Sequence, residues 1–105
     1  MLSEKMKEDL ICGLRLIFGN AIQTIILYGS VARNEATEES DIDIAIIMKK
    51  DMEEAEKEQF LCWSAEMDIQ YNKVFSIVDI QEEQLEKWGD ILPFYKNIRE
   101  EGVVL

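Results

Sequence analysis

Histidine is absent from this 105-residue chain. That removes the Ser-His couple of nucleophilic hydrolases and the common zinc motifs. Cysteine is scarce: Cys12 and Cys62 fall at apolar positions of expected helices, which favours reduced, packed thiols over a disulfide or a metal site. Proline occurs once, and no Pro/Gly-rich tract, internal repeat or low-complexity segment is present to serve as a linker. No apolar run approaches the ~20 residues of a membrane helix, and the amphipathic N-terminus lacks the basic-then-apolar layout of a secretion signal, so a cytoplasmic protein is expected. Basic residues are few, 11 against 22 acidic ones, for a net charge of −11. Such a surface repels a nucleic-acid backbone, which makes a polynucleotide a poor candidate substrate. It favours a basic protein partner, beside the plainer reading that the charge serves solubility.

What is present suits a small α/β domain. Hydrophobic residues make up 48% of the chain, normal for a globular protein, and the length allows one compact domain, 1–105, with a modest core. Ser3 can cap a helix with Met6, Leu10, Leu14, Ile17 and Phe18 as its apolar stripe, closing at Gly19-Asn20. Two strands follow, Ile25–Tyr28 and Ile42–Ile47. Asp51 can cap a second helix to about Asp68, with Met52, Ala55, Phe60, Trp63 and Met67 roughly on one side. A third strand is expected over Lys73–Ile80, then helices over Gln81–Trp88 and Asp90–Glu101, with Gly102 at the end. The expected fold is a small mixed three-stranded sheet with flanking helices.

The chemistry concentrates between the first two strands. The run Ile25-Ile26-Leu27-Tyr28 stops abruptly at Gly29, a residue that tolerates a sharp turn and leaves the backbone open to a ligand, and Ser30 adds a hydroxyl. Ten residues later Asp41 and Asp43 open the second strand. A spacing of two puts both carboxylates on one face, their Cα atoms roughly 7 Å apart, where both can address one metal ion. Ten residues are short for a parallel crossover, whereas an antiparallel pairing makes Ser30 a neighbour of Asp41 and Asp43. The link Val31–Ala36 would then be a short helix or turn whose N–H groups favour an anion. Each piece has a plainer reading. Gly29-Ser30 alone can be an ordinary turn, an aspartate can begin a solvated strand, and Arg33 is as readily surface charge as a phosphate contact. Glu35, Glu38 and Glu39 are expected to be solvent-exposed.

Gly29-Ser30, ten residues, then Asp41-x-Asp43, within YGSVARNEATEESDIDIAI, resembles the minimal nucleotidyltransferases of the DNA polymerase β superfamily, of the antitoxin type paired with HEPN-domain toxins. Both motifs at the family spacing, each on its strand, are far more specific than either alone, and the resemblance covers most of the chain. It implies a polymerase-β-like core and Mg²⁺ held by Asp41 and Asp43. It implies also that Gly29 and Ser30 bind the phosphates of ATP, with Arg33 a further candidate contact, and that AMP is transferred to a tyrosine hydroxyl of a HEPN toxin.

The chain departs from the family at the third strand, where an acidic residue usually serves as general base or second metal ligand. Phe75-Ser76-Ile77-Val78-Asp79-Ile80 places Ser76 at that position. Asp79 has the opposite strand parity and could enter the site only through a bulge, and Asp68, just before the strand, could substitute from a loop. Three readings follow: an active AMP-transferring antitoxin, a catalytically weak nucleotide-binding antitoxin that acts by contact alone, and modification of a small molecule such as an aminoglycoside. The third is disfavoured because the additional domain of those enzymes is missing. The aromatics of Trp88–Tyr95 are expected mainly in the core; any that are exposed would mark a partner interface.

Overall fold

The hydroxyl of Ser3 accepts a hydrogen bond from the Met6 N–H at 3.2 Å and so opens α1, Glu4–Phe18. Met6, Leu10, Leu14 and Phe18 recur every fourth residue and form the buried stripe of this helix. Gly19, at φ +56°, ends it, and a 3₁₀ turn over Gly19–Ala21 leads into β1, Ile22–Tyr28. The computed structural model describes residues 2–33, 35, 37 and 40–105. After β1 come α2 (Gly29–Ala32), β2 (Ile42–Met48), α3 (Glu54–Tyr71), β3 (Phe75–Gln81), α4 (Glu82–Trp88), α5 (Pro93–Glu101) and β4 (Val103–Val104).

The strands form one mixed sheet in the order β3-β2-β1-β4. β1 runs antiparallel to both β2 and β4, while β2 and β3 are parallel, joined by α3 as the crossover a parallel pair requires. One face of the sheet carries Ile25, Leu27, Ile42, Ile44, Ile46, Met48 and Phe75 and is covered by α1 and Met67 of α3. The other carries Ile26, Ala45, Ile47 and Ile80 and packs on Ile98 of α5, with Tyr28, Val78, Leu85 and Tyr95 at its margin. Because β2 is buried on both faces it reads as a nearly continuous apolar run. Asp43 is the single charge within it.

The mixed α/β sheet with flanking helices is as expected, but it has four strands rather than three. Val103–Val104 pairs with Ile26 and Leu27 of β1, and a two-residue strand is too short to carry a periodic signal. The cap of α3 is Glu53 rather than Asp51, in a reciprocal box with Glu56, and the helix runs on to Tyr71, where Asn72 adopts a left-handed conformation. Ala55 is exposed, and Phe60 and Trp63 are half-buried. α5 starts at Pro93 instead of Asp90, because Leu92 is held extended by the proline that follows it and proline suits the first helical position. Cys12 and Cys62 are both exposed, against the expectation of packed thiols. Cys12 lies about half a turn from the Leu10–Leu14 stripe, and Cys62 is similarly displaced from Met67. In the C-terminal segment Ile91, Leu92 and Phe94 are exposed, while Trp88 and Tyr95 are half-buried. No described helix is long and apolar enough to cross a membrane.

Candidate active site

The antiparallel register of β1 and β2 sets Tyr28 opposite Asp43. The chain leaving β1 therefore turns at the very end of the sheet where β2 begins, and Gly29-Ser30 lie beside the carboxylate pair, as the short link requires. Gly29 has φ +74°, a backbone conformation that disfavours any side chain. The space a Cβ would need is already filled: it would overlap Asp43 Oδ2 and lie 3.1 Å from Asp43 Cγ. Glycine here lets the backbone and the carboxylate share one small volume. α2 begins at Gly29 itself, so the N–H groups of its single turn belong to the Gly-Ser segment rather than to residues after it. Its carbonyls at Gly29 and Ser30 accept from the Arg33 and Glu35 N–H groups at 3.1 and 2.9 Å. Of the link that follows, Asn34, Ala36, Glu38 and Glu39 lie outside the described residues, so the expectation of exposed glutamates is met at Glu35 and cannot be placed at the other two.

Electrostatics single out Asp43. Partial burial raises its pKa, the neighbouring Asp41 carboxylate raises it further, and the Arg33 guanidinium pulls it back. Burial, and then the Asp43 charge, also push the Tyr28 phenol up, so it stays a neutral hydroxyl. Asp41 is exposed. Arg33 pairs with Glu35 (Nε to Oε2, 3.1 Å) and with Glu101 at the end of α5 (Nη1 to Oε2, 3.4 Å). Both contacts are solvent-exposed ion pairs of the weak kind, which a phosphate can displace.

β3 settles the geometry of its three candidate polar residues. Ser76 is the register partner of Asp43, on the same face and half-buried. Asp79 pairs with Ile46, has the opposite parity and is exposed. Asp68 sits in the last turns of α3, where its Oδ1 accepts the Phe75 N–H at 3.0 Å and anchors the start of β3. Among the described residues no three His, Cys, Asp or Glu side chains gather into a metal cage.

The family model for polymerase beta nucleotidyltransferases matches residues 15–105. The chain belongs to that nucleotidyltransferase family. It is 34% identical over 108 aligned positions to a Methanocaldococcus jannaschii protein named "Putative protein adenylyltransferase MJ0604", covering 100% of this chain and 99% of the relative. Its fold is shared with a toxin–antitoxin solved with AMP-PNP, at TM-score 0.67 and 18% identity over 93% of this chain and 70% of the other. A mutant form of the toxin–antitoxin MntA-HpeT matches at TM-score 0.59 and 16% identity, over 92% and 70% of the two chains.

Within this nucleotidyltransferase the site has two neighbours that the motif reading did not assign to it. Tyr28 faces Asp43 across the strand pair, and its position directly before Gly29 was the available signal. Glu101, which holds Arg33, is 68 residues away in sequence and carries no local signal at all. A separate cleft of about 380 Å³ between α1 and α3, bordered by Asp9, Cys12, Trp63 and Gln70, opens beside helices that cover the opposite face of the sheet from Asp43.

Proposed function

We infer that residues 1–105 act as one Mg²⁺-dependent nucleotidyltransferase domain, an antitoxin that transfers AMP from ATP to a tyrosine hydroxyl of a HEPN-domain toxin in the cytoplasm, where ATP is supplied. The observation that carries this reading is the junction of Gly29 with Asp43, a glycine turn of positive φ packed directly on a carboxylate whose charge is disfavoured by burial and by Asp41. Family membership and the adenylyltransferase-named relative support the reaction class. The likeness of the fold to toxin–antitoxin structures supports a toxin as the partner.

The donor set fits magnesium. Asp41 and Asp43 offer hard oxygen ligands, and magnesium commonly takes one or two carboxylates, with substrate phosphates and water completing the shell. A divalent cation would also relieve the repulsion that raises Asp43. Bound there, the ion would neutralise charge developing on the triphosphate. The chain's own groups do the rest. The N–H groups of Gly29 and Ser30 and the Ser30 hydroxyl bind terminal phosphate oxygens, and Arg33 can leave Glu101 to join them. The acceptor oxygen forms the new bond to the α-phosphorus, the bond from that phosphorus to the bridging oxygen breaks, and pyrophosphate departs with the electron pair. The hydroxyl proton passes to water, since Ser76 is a poor base at neutral pH.

Ser76 gives a second reading its footing: a nucleotide-binding antitoxin that acts by contact, with transfer slow or absent. A missing general base costs about 10²–10⁴-fold. Intact-mass analysis of the chain and its partner after incubation with ATP and Mg²⁺ decides between the two. AMP addition to the partner by wild type, lost in Asp43→Ala, supports transfer. Faster addition by Ser76→Asp with an unchanged rate in Asp79→Asn would show that Ser76 occupies the third carboxylate position. No addition by wild type or Ser76→Asp, with the complex intact, leaves contact alone.

A further inference from the structure

The face of the sheet that carries Asp43 also carries an aromatic row with no role so far. The Tyr28 and Phe94 rings meet edge to face, with centroids 5.9 Å apart at 84°, and Phe94 meets Tyr95 at 5.5 Å and 64°. Tyr28 is the direct strand partner of Asp43, so the row starts at the carboxylates and runs away from them across the N-terminal turn of α5. Burial separates its members. Ile98, one turn further along α5, is 1% exposed and belongs to the core, whereas Phe94 keeps 45% of its surface open.

A core role accounts for Ile98 and not for Phe94. An aromatic ring held by two edge contacts, on a helix turn begun by Pro93, has little freedom left to lose, which is what makes a good stacking surface. Its placement is also right in order. In a nucleotide the sugar separates the base from the α-phosphate, so a surface for the base must lie beside the phosphate-binding carboxylates and not upon them. Tyr28 links the two, as strand partner of Asp43 and ring partner of Phe94.

We propose that Phe94, braced by Tyr28 and Tyr95, is the stacking surface for the base of the nucleoside triphosphate. The proposal rests on the nucleotide-binding reading of Gly29, Ser30, Asp41 and Asp43 given above. Stacking of a base on an aromatic side chain is worth about 1–3 kcal/mol, or roughly 5- to 150-fold in affinity.

Titration calorimetry with two probes, ATP and inorganic tripolyphosphate, each with Mg²⁺, tests it in wild type, Phe94→Ala, Phe94→Leu and Phe94→Trp. Phe94→Ala should weaken ATP at least five-fold and leave tripolyphosphate unchanged; Phe94→Leu should fall between; Phe94→Trp should hold wild-type affinity. An unchanged ATP affinity in Phe94→Ala would overturn the proposal and leave the exposed ring as a partner anchor together with Ile91 and Leu92. Equal losses for both probes would overturn it too, because the ring would then only shape the site. Failure of wild type to bind either probe, or binding that ignores Mg²⁺ and Asp43→Asn, would instead bring down the nucleotide-site reading beneath it.

Discussion

Asp43 shows how a residue can oppose the fold that holds it. Its carboxyl is pushed above the ordinary value of 3.8, first by burial and then by Asp41, so folding favours the protonated form. A raised folded-state pKa contributes stability that is full below the unfolded value and is lost as pH rises through the folded one. At neutral pH, without a divalent cation, ionised Asp43 is therefore a net cost to stability. Asp43→Asn keeps the shape and removes the charge. It should melt higher than wild type at pH 7 in chelator, with the gain complete above the raised pKa and gone below about 3.8. The same variant should lose Mg²⁺-dependent ATP binding. Thermal melts across pH check the sign, and a lower melting temperature for Asp43→Asn at pH 7 would mean that the carboxylate stabilises the apo fold after all. The one charge that folding places within β2 is the one the proposed chemistry most needs, as functional sites commonly require.

Between elements, the contact of α1 with α3 turns on one missing side chain. A Cβ at Gly13 would run into the Trp63 indole, whose Cζ2 would be 2.7 Å away. Phe60 braces Trp63 on one side, with centroids 6.2 Å apart, and itself packs on Phe18 at 5.9 Å. Alanine in a helix interior usually gains about 0.5–1 kcal/mol over glycine. Overpacking costs about 1–3 kcal/mol. The overlap should win, so Gly13→Ala should lower stability by about 1 kcal/mol, or roughly 4–8 °C in Tm, and change the tryptophan emission. A higher Tm with unchanged emission would show that the indole moves aside. This dependence was not legible in the sequence, because it joins two helices 50 residues apart through an absence. Other features were legible for physical reasons. The α1 stripe is a strong four-residue period, and the antiparallel β1–β2 pairing follows from a ten-residue link. The parity of Ser76 against Asp79 follows from strand geometry alone and matches the register. Cys12 and Cys62 were misplaced because apolar residue type was weighed above helical angle. β4 escaped because its two residues owe their strand state to β1 and not to their own pattern. Glu101 on Arg33 and Phe94 on Tyr28 escaped because α5 is brought to the site by the burial of Ile98, a tertiary event.

Across the whole molecule the charge of −11 acts in two opposite directions. Like charges crowd the isolated chain and lower its stability, an effect that salt screens over a Debye length of about 10 Å at 0.1 M. The same field should draw in a basic partner, speed its encounter and be weakened by the same salt. Both consequences can be read on one preparation. Between about 0.05 and 0.5 M NaCl, where the Debye length shrinks by roughly a factor of three, the Tm of the isolated chain should rise while its affinity for the proposed toxin partner falls. The loss should sit mainly in the association rate, since steering by rim charge acts on encounter more than on dissociation. Stopped-flow association over that salt range, with melts of the isolated chain alongside, separates the two. An affinity flat in salt would transfer the binding energy to the exposed apolar set Ile91, Leu92 and Val104, where burial of surface and not charge would have to hold the complex. In that case Ile91→Asp, distant in kind from the nucleotide chemistry, should break the complex while leaving ATP affinity intact.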